Sequence, residues 1–493
     1  MINIFTNDHT EEILQAAKSI EGLSQAIQVM PLKEIEENSL HLIIDDNQIK
    51  LPIPWEGTEP PILIDEIAFD KHDLLALILA KLGYEEEAFQ FVKNIKVQTF
   101  ITSRHRLKGN EETIATPSYD GDDYFSIHNS AVLAYYADSS QNQSSTRAHF
   151  HEAIRKAPSA EHAAFTAKHL TISLLDTGEN EAASQLLQQH HDLALSEKGR
   201  QFLQLDLINV LMNIAMNAYH NGDMKDLKEM IWHSINYFEN THFNWVVADL
   251  YIKASEITNI EKSYTESLNY ISKAITIYEE EGLPEFLASA YLRKGTLLYT
   301  WAQDANPQFF QPAIDTYQEA LRVFTREHFP HIFAEIHHNL AVIYAEMPVE
   351  EKKRGMWSAF SATSFKECLE FYQKETYPFE YAMVANNYGN ALLKYPPAKT
   401  GDNSEKAVHY YLEALEIRNA ENFPLERAHT ILNYLEACWQ VHNINKTMER
   451  ARYKDMLAKA KEISKLTDNQ ALIEQSNDHL KQLSALSLAI TNG

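Results

Sequence analysis

The chain of 493 residues has few cysteines and comparatively little positive charge, and each shortage excludes a class of protein. Its two cysteines, Cys368 and Cys438, are too few and too far apart for a disulfide framework. Lys and Arg number 43 against 69 Asp and Glu, which gives a net charge of −26. An acidic surface repels phosphate backbones and anionic lipids. We therefore predict neither a nucleic-acid nor a membrane partner, and a basic or amphipathic peptide is favoured.

Long apolar runs and a targeting segment are also missing. No stretch approaches the ~20 apolar residues that cross a bilayer. Residues 1–10 contain no basic segment followed by an apolar run, so no signal peptide is visible. Hydrophobic residues make up 45% of the chain and charged residues 23%, as in ordinary soluble proteins. These features predict a cytoplasmic location.

Motifs that carry chemistry are scarce as well. The sequence has no glycine-rich phosphate loop, no Gly-x-Ser-x-Gly and no His-Glu-x-x-His. The acidic segment 119–123 is only half of a calcium loop and favours a solvated connector. Packing explains the two cysteines better than nucleophilic chemistry does. The histidine pairs lack the spacing of a zinc site: His149 and His151, His190 and His191, His328 and His331, His337 and His338. We predict a protein that is not an enzyme and needs no metal or cofactor.

A repeated sequence motif built around a proline dominates the C-terminal half of the chain. Four prolines lie 46, 48 and 46 residues apart, each with an apolar residue before it, an alanine four residues after it and a small residue ten before it. The prolines are Pro284, Pro330, Pro378 and Pro424, the alanines are Ala288, Ala334, Ala382 and Ala428, and the small residues are Ala274, Ala320, Cys368 and Ala414. Self-similarity at this period indicates a stack of repeated units.

Upstream of Pro284, glycines punctuate a pattern of helix, turn and helix. Gly83, Gly178 and Gly222 each follow an apolar helical stretch and precede alanines or leucines at helical spacing. Glycine is favoured just past a helix because it adopts positive φ without steric cost. From about residue 65 onward, paired helices are therefore predicted.

These units resemble tetratricopeptide repeats. The first-helix motif of that family appears as Asn339–Tyr344, as Asn387–Leu392 and, more degraded, as Asn433–Cys438, and second helices match at Ala313–Leu321 and Ala407–Leu415. The resemblance covers roughly residues 65–465 and about nine units. It implies an all-α solenoid of antiparallel helix pairs that forms a right-handed superhelix.

The C-terminal units are longer than the family's 34 residues. The extra residues are predicted to form loops between the two helices of a unit, at 304–312, 348–355 and 395–403. This longer form resembles repeat arrays of cyanobacteria and other bacteria that often accompany caspase-like or signalling domains.

Residues 1–64 differ from the repeats and predict a small α+β cap. A helix is expected over 10–21, and a hairpin is expected from 40–44 and 48–53. The predicted organisation is a capping module at 1–64, repeats of near-standard length at 65–283, four long repeats at 284–465 and a capping helix at 466–493.

The resemblance also locates a ligand surface, since first helices line the concave face in this family. The positions carried over are Glu335, His338, Met383, Asn386, Asn390, Lys394, His429, Glu436, Trp439 and Gln440. Asn386 and Asn390 are candidate clamps on an extended peptide, and Trp439 is a candidate apolar anchor. The family's mode of holding chaperone carboxylates is disfavoured because Asn386 stands where a lysine is needed. A merely solvated groove remains an equal alternative.

Three functions are compatible with this sequence. The leading prediction is a non-catalytic scaffold or adaptor that binds a protein or peptide in its concave groove. The second is a regulator gated by a peptide or small molecule, which would need a closed, charge-lined pocket. The third places the activity in residues 1–64 and makes the repeats a targeting arm.

Overall fold

The structure of the chain, a computed structural model, describes residues 1–34, 41–109, 119–137, 143–217, 224–304, 306–397, 402–441 and 446–491. These residues form two compact units, Met1–Thr241 and His242–Gly493. The predicted turn at Gly222, and parts of the predicted loops at 305 and 398–401, lie outside the described residues.

The first unit begins with a five-stranded sheet. Its strands are β1 (Ile2–Thr6), β2 (Ile27–Met30), β3 (His41–Asp45), β4 (Gln48–Lys50) and β5 (Ile67–Ala68). The strand order is β2-β1-β3-β4-β5. β1 runs parallel to both β2 and β3, whereas β3, β4 and β5 pair antiparallel.

The predicted hairpin is confirmed as β3 and β4, with Asp46 and Asn47 at positive φ in its turn. The helix predicted over 10–21 is shorter, at Thr10–Ala17 (α1), and is followed by the short α2 (Leu23–Ala26). The parallel strands β1 and β2 were not predicted, because they span only five and four residues and β1 carries Asn3 and Thr6 among its apolar residues, so neither shows a long apolar run or a long alternation.

Helices make up the rest of the first unit. They are α3 (Lys71–Lys81), α4 (Glu85–Ala88), α5 (Ile95–Leu107), α6 (Tyr124–Tyr136), α7 (Gln143–Lys156), α8 (Ala160–Leu175), α9 (Asn180–His191), α10 (Glu197–Asn217) and α11 (Lys225–Phe238). From α6 onward they pack as consecutive pairs. Gly83 and Gly178 have φ values of 90° and 77°, so both predicted glycine turns are confirmed.

The first predicted helix pair is less regular than expected. After the Gly83 turn the second helix is short, because α4 ends at Ala88 and α5 begins only at Ile95. The Asp73 carboxylate accepts hydrogen bonds from the backbone N–H groups of Lys93 and Asn94, at 2.8 and 2.9 Å. These contacts hold the chain in a turn and start a new helix.

The second unit consists of helices throughout its described residues. They are α12 (Asn244–Ile260), α13 (Tyr264–Glu280), α14 (Pro284–Gln303), α15 (Phe310–Ala320), α16 (Pro330–Glu346), α17 (Glu351–Phe371), α18 (Pro378–Lys394), α19 (Asn403–Ile417), α20 (Pro424–Gln440), α21 (Lys446–Leu466) and α22 (Gln470–Thr491). Each even-numbered helix from α12 to α20 pairs with the next one. The predicted loop at 348–355 is too long, because α17 already begins at Glu351.

The repeated proline motif marks the start of each first helix. Each of the four prolines is the first residue of its helix, where its missing N–H costs nothing. The alanine four residues later is buried in all four units, and so is the small residue ten before the proline. The repeated proline motif is therefore a packing pattern that brings successive helices into contact.

Two glycines allow the paired helices to approach closely. A Cβ on Gly295 would lie 2.9 Å from the ring of Tyr317, and one on Gly389 would lie 2.6 Å from the ring of Tyr411. Both tyrosines are almost fully buried. At these two positions, glycine is required by the aromatic side chain of the partner helix.

Candidate functional site

Successive first helices of the second unit contact one another, from α14 through α16 and α18 to α20. We call the surface that they share the inner face. It carries a cavity of about 440 Å³. Its lining includes Tyr299, Gln303, Val342, Glu346, Asn387, Asn390, Lys394, Asn433, Glu436 and Gln440. The site is thus polar, and all four first helices contribute to it.

Glu346 is the centre of the polar contacts on the inner face. Its carboxylate accepts hydrogen bonds from the Tyr299 hydroxyl (2.5 Å), the Gln303 amide (3.1 Å) and the Lys394 ammonium (2.9 Å). Burial alone would raise the pKa of Glu346, but these donors outweigh it and hold the pKa below its usual value. Glu346 is therefore a carboxylate at neutral pH, and it joins α14, α16 and α18.

Amide side chains form a second connection across the inner face. Asn433 donates to Asn386 (3.1 Å), Asn386 donates to Asn387 (3.3 Å), and Asn387 donates to the His338 ring (3.0 Å). This series of hydrogen bonds runs from α20 through α18 to α16. Asn390 lies one turn further along α18, and its Oδ1 accepts the hydroxyl of Tyr411 at 2.7 Å.

The cavity brings together four of the ten residues that the sequence analysis selected. These are Asn390, Lys394, Glu436 and Gln440, to which α18 and α20 contribute two each. The described lining does not include the other six, which are Glu335, His338, Met383, Asn386, His429 and Trp439.

Two of those six residues have structural contacts of their own. His338 is only 8% exposed, and burial lowers its pKa to about 4, so the ring is neutral and accepts the Asn387 amide. The Trp439 indole donates to His479 of α22 at 3.0 Å. Contacts with other parts of the chain thus already engage both side chains.

Tyr299, Gln303, Asn387 and Asn433 also line the cavity, although the sequence analysis did not select them. Asn387 and Asn433 stand nine residues after their prolines and open the first-helix motif. A signal for them was therefore present, because the asparagine recurs at the same offset in three units. Tyr299 and Gln303 lie in α14, which lacks that asparagine.

The structure also bears on catalysis. Within the described ranges, no group of three or more His, Cys, Asp or Glu side chains could hold a metal ion. Cys368 and Cys438 are both buried, as predicted. Burial raises the pKa of the Cys438 thiol to about 11 and that of Cys368 further still. Both thiols are thus protonated at neutral pH and poor nucleophiles.

None of the described helices combines the length and the apolar character that crossing a bilayer requires.

No protein-family model matches the chain, and a comparison with curated proteins finds no match either. Solved structures do match at low identity. Human IFIT1, as a dimer with PPP-AAAA, is 14% identical over 85% of this chain and 90% of that one, with a TM-score of 0.45. Yeast Tom70 is 11% identical over 85% and 82%, with a TM-score of 0.41. A Rap protein complexed with competence and sporulation factor is 11% identical over 70% and 96%, with a TM-score of 0.39.

The fold class rests on the chain's own features. Antiparallel helix pairs, prolines that begin the first helices and glycines beneath buried tyrosines recur along the second unit. The chain is an all-α repeat protein of the tetratricopeptide type with a small N-terminal sheet module, as predicted.

Proposed function

We propose that this chain is a non-catalytic scaffold whose inner face, on α14, α16, α18 and α20, binds an extended segment of a protein partner. The observation that carries the proposal is the set of asparagines on α18 and α20 around the 440 Å³ cavity. An asparagine amide can bond both the N–H and the C=O of an extended peptide. Tyr411 fixes Asn390 through its Oδ1, and among the described residues no group accepts from the Asn390 amide nitrogen.

Charge suggests the chemistry of the partner. Lys394 pairs with Glu346, whereas Glu436 is exposed on the cavity wall and pairs with no cation among the described side chains. The chain as a whole carries a net charge of −26. We propose a segment that places a lysine or arginine against Glu436, which is electrostatically favoured at an acidic surface.

The test is affinity purification of the tagged full-length chain from its own organism, quantified by mass spectrometry. Glu436→Lys should lower recovery of the inner-face partner by about tenfold or more, equivalent to roughly 1.4 kcal/mol or more of binding free energy. Asn390→Ala should weaken the same interaction. Binding of the identified segment is then measured by calorimetry with each variant.

Glu421→Lys is the matched control, because it makes the same charge reversal at an exposed residue in the turn before α20. It should leave recovery unchanged. An unaltered partner set with Glu436→Lys and Asn390→Ala would show that the inner face does not bind the partner.

A second candidate is a regulator gated by a peptide or small molecule. It is favoured by a neighbouring cavity of about 640 Å³ that shares Gln303, Glu346 and Lys394 with the first. Both volumes lie within the range of small-ligand sites, about 300–1,000 Å³. Ligand-induced compaction in small-angle scattering would support this function, and an unchanged scattering profile with bound ligand would oppose it.

The exclusion of nucleic acid and the cytoplasmic location remain predictions from charge and composition. A gel-shift titration with single-stranded RNA checks the first, and no shift is expected, since the acidic surface repels phosphates.

A further inference from the structure

In the first unit, the connection between β4 and β5 is much longer than the sheet requires. The two strands pair antiparallel, with Ile49 opposite Ile67, and residues 51–66 join them. Neighbouring antiparallel strands are usually joined by about two to five residues. We call residues 51–64 the docked segment. It contains no helix or strand and lies against α3, α5, α6, α8 and α10.

Trp55 anchors the docked segment. Its side chain is only 2% exposed and meets the ring of Phe165 on α8 edge-on, with centroids 5.3 Å apart. The indole N–H donates to the Glu161 carboxylate at 2.9 Å. A Cβ on Gly199 of α10 would lie 3.0 Å from the indole, so this glycine makes room for the ring. The site thus has the shape and the hydrogen-bond acceptor that a tryptophan requires.

Two acidic side chains follow Trp55, and both are buried against basic residues of the helices. The Glu59 carboxylate accepts hydrogen bonds from Lys81 of α3 and Arg104 of α5, each at 2.7 Å. Glu56 pairs with Lys198 of α10. Basic side chains from three helices therefore match the two carboxylates of one extended segment.

The backbone of the docked segment is also recognised. Asn129 of α6 makes two hydrogen bonds to a single residue: it accepts from the Leu63 N–H at 2.9 Å and donates to the Leu63 carbonyl at 2.7 Å. His128, next to it, donates to the Pro61 carbonyl at 3.0 Å. These contacts do not depend on the side chains of the segment, as in proteins that bind extended peptides.

The supporting helices α6, α8 and α10 are the first helices of their pairs and contact one another in succession. They correspond to the helices that form the inner face of the second unit. The contacts are both polar and apolar, because Ile62 lies in the hydrophobic core of this unit and Leu51 and Ile64 pack against that core. Gly57 and Thr58, in the middle of the segment, are exposed. In addition, Arg104 Nε and His41 Nδ1 are buried without a hydrogen-bond partner within the described residues.

We propose that the docked segment is a ligand bound in cis to a peptide groove on α3, α5, α6, α8 and α10. The groove accepts in trans a partner segment of the same chemistry: an extended, proline-containing stretch with a tryptophan and a glutamate four residues later. Because β4 and β5 pair directly, the segment can leave the groove while the sheet remains closed.

The experiment uses the full-length chain and a fluorescein-labelled peptide of residues 51–64. Tethering gives the cis segment an effective concentration of about millimolar, so micromolar peptide should not bind the wild type measurably. In the variant Trp55→Ala/Glu59→Gln, the weakened cis segment no longer competes, and fluorescence anisotropy should report binding. Adding Asn129→Ala should reduce that binding, and a scrambled peptide should not bind.

A second measurement uses the wild type, so that the proposal can be tested even if the double variant does not fold. In the wild type, millimolar peptide should increase hydrogen–deuterium exchange of residues 51–64, whereas the scrambled peptide should not. Unchanged exchange in the wild type, or absence of binding to a folded double variant, would overturn the proposal and make residues 51–64 a fixed structural strap. Neither result bears on the inner face of the second unit, so the proposed function is tested separately.

Discussion

The two units use equivalent first-helix surfaces in different ways. In Met1–Thr241, a segment of the chain itself lies on that surface and buries Trp55 against α8 and α10. In His242–Gly493, the surface keeps a cavity lined by polar side chains that bond mainly to one another. The same helix-pair architecture thus carries a groove with an occupant from its own chain in one unit and a polar cavity in the other, and the difference lies in the segment that joins β4 to β5.

The largest expected effect concerns the occupied groove. Glu59→Ala would leave Lys81 and Arg104 buried without their shared carboxylate, which should lower the free energy of unfolding by about 3–5 kcal/mol. Urea denaturation measures the loss, and hydrogen exchange should locate it in α3 and α5. Glu87→Ala, at an exposed position on α4, should change stability little. Equal effects of the two substitutions would mean that the buried pairs contribute nothing specific.

The packing of the second unit is tested next. Gly389→Ala would place a Cβ 2.6 Å from the Tyr411 ring, and overpacking of this kind typically costs about 1–3 kcal/mol. Gly355→Ala is the matched control on α17, where a Cβ would meet nothing within 4 Å. That control should be neutral or stabilising by up to about 1 kcal/mol, since alanine favours a helix. Thermal denaturation of both variants measures the difference in stability. A stabilised Gly389→Ala protein would contradict the packing account.

Acidic pH should lower the folding stability of the first unit more than that of the second. Burial lowers the pKa of His41 to about 4, with a further contribution from Lys81 and Lys198, and burial with a smaller contribution from His162 lowers that of His128 to about 4. In the unfolded chain both titrate near 6.5. Between these values the unfolded state binds more protons, so stability falls as the pH drops from 6.5 towards 4 and does not change through these groups above 6.5.

Protonation of each of these two histidines in the unfolded state should lower the free energy of unfolding at pH 5 by on the order of 1–2 kcal/mol. His128→Gln should reduce this pH dependence, as measured by melting temperatures at pH 7 and pH 5. The second unit has a similarly shifted group in His338, so hydrogen exchange at pH 5 is needed to assign the loss to α6. A pH dependence unaffected by His128→Gln would contradict the assignment.

The smallest expected effect on stability concerns the open groove. Lys394 pairs with Glu346 at 2.9 Å, but the lysine side chain is 48% exposed, so Lys394→Ala should cost at most about 1 kcal/mol. The same substitution should strengthen binding of the basic inner-face segment, because it removes a like charge from the cavity wall. A large loss of stability without any change in binding would mean that the pair is structural.

Local sequence predicts much of this fold, because its signals are local. Proline at the first helical position, glycine after a helix and alanine at close contacts act within a few residues, and the elements that they predict are present. The parallel strands β1 and β2 were missed because both are short and form their hydrogen bonds with strands distant in the sequence, which no short window reveals.

The candidate sites were harder to predict. On the inner face the offsets carried over from the family were partly shifted: His338 is buried, whereas Asn387 and Asn433 line the cavity. The docked segment lies within the predicted capping module at 1–64. Nothing in its sequence indicates its partners, because Trp55 and Glu161 are 106 residues apart and only the fold brings them together.

Photo-crosslinking in the native organism tests the central comparison most directly. Gln440 is an exposed inner-face residue, and Lys406 is exposed on the second helix α19. With p-benzoylphenylalanine at position 440, irradiation should yield a discrete crosslinked protein, and with the same probe at position 406 it should not. No product at 440, or the same products at both positions, would contradict an open inner face that binds a partner.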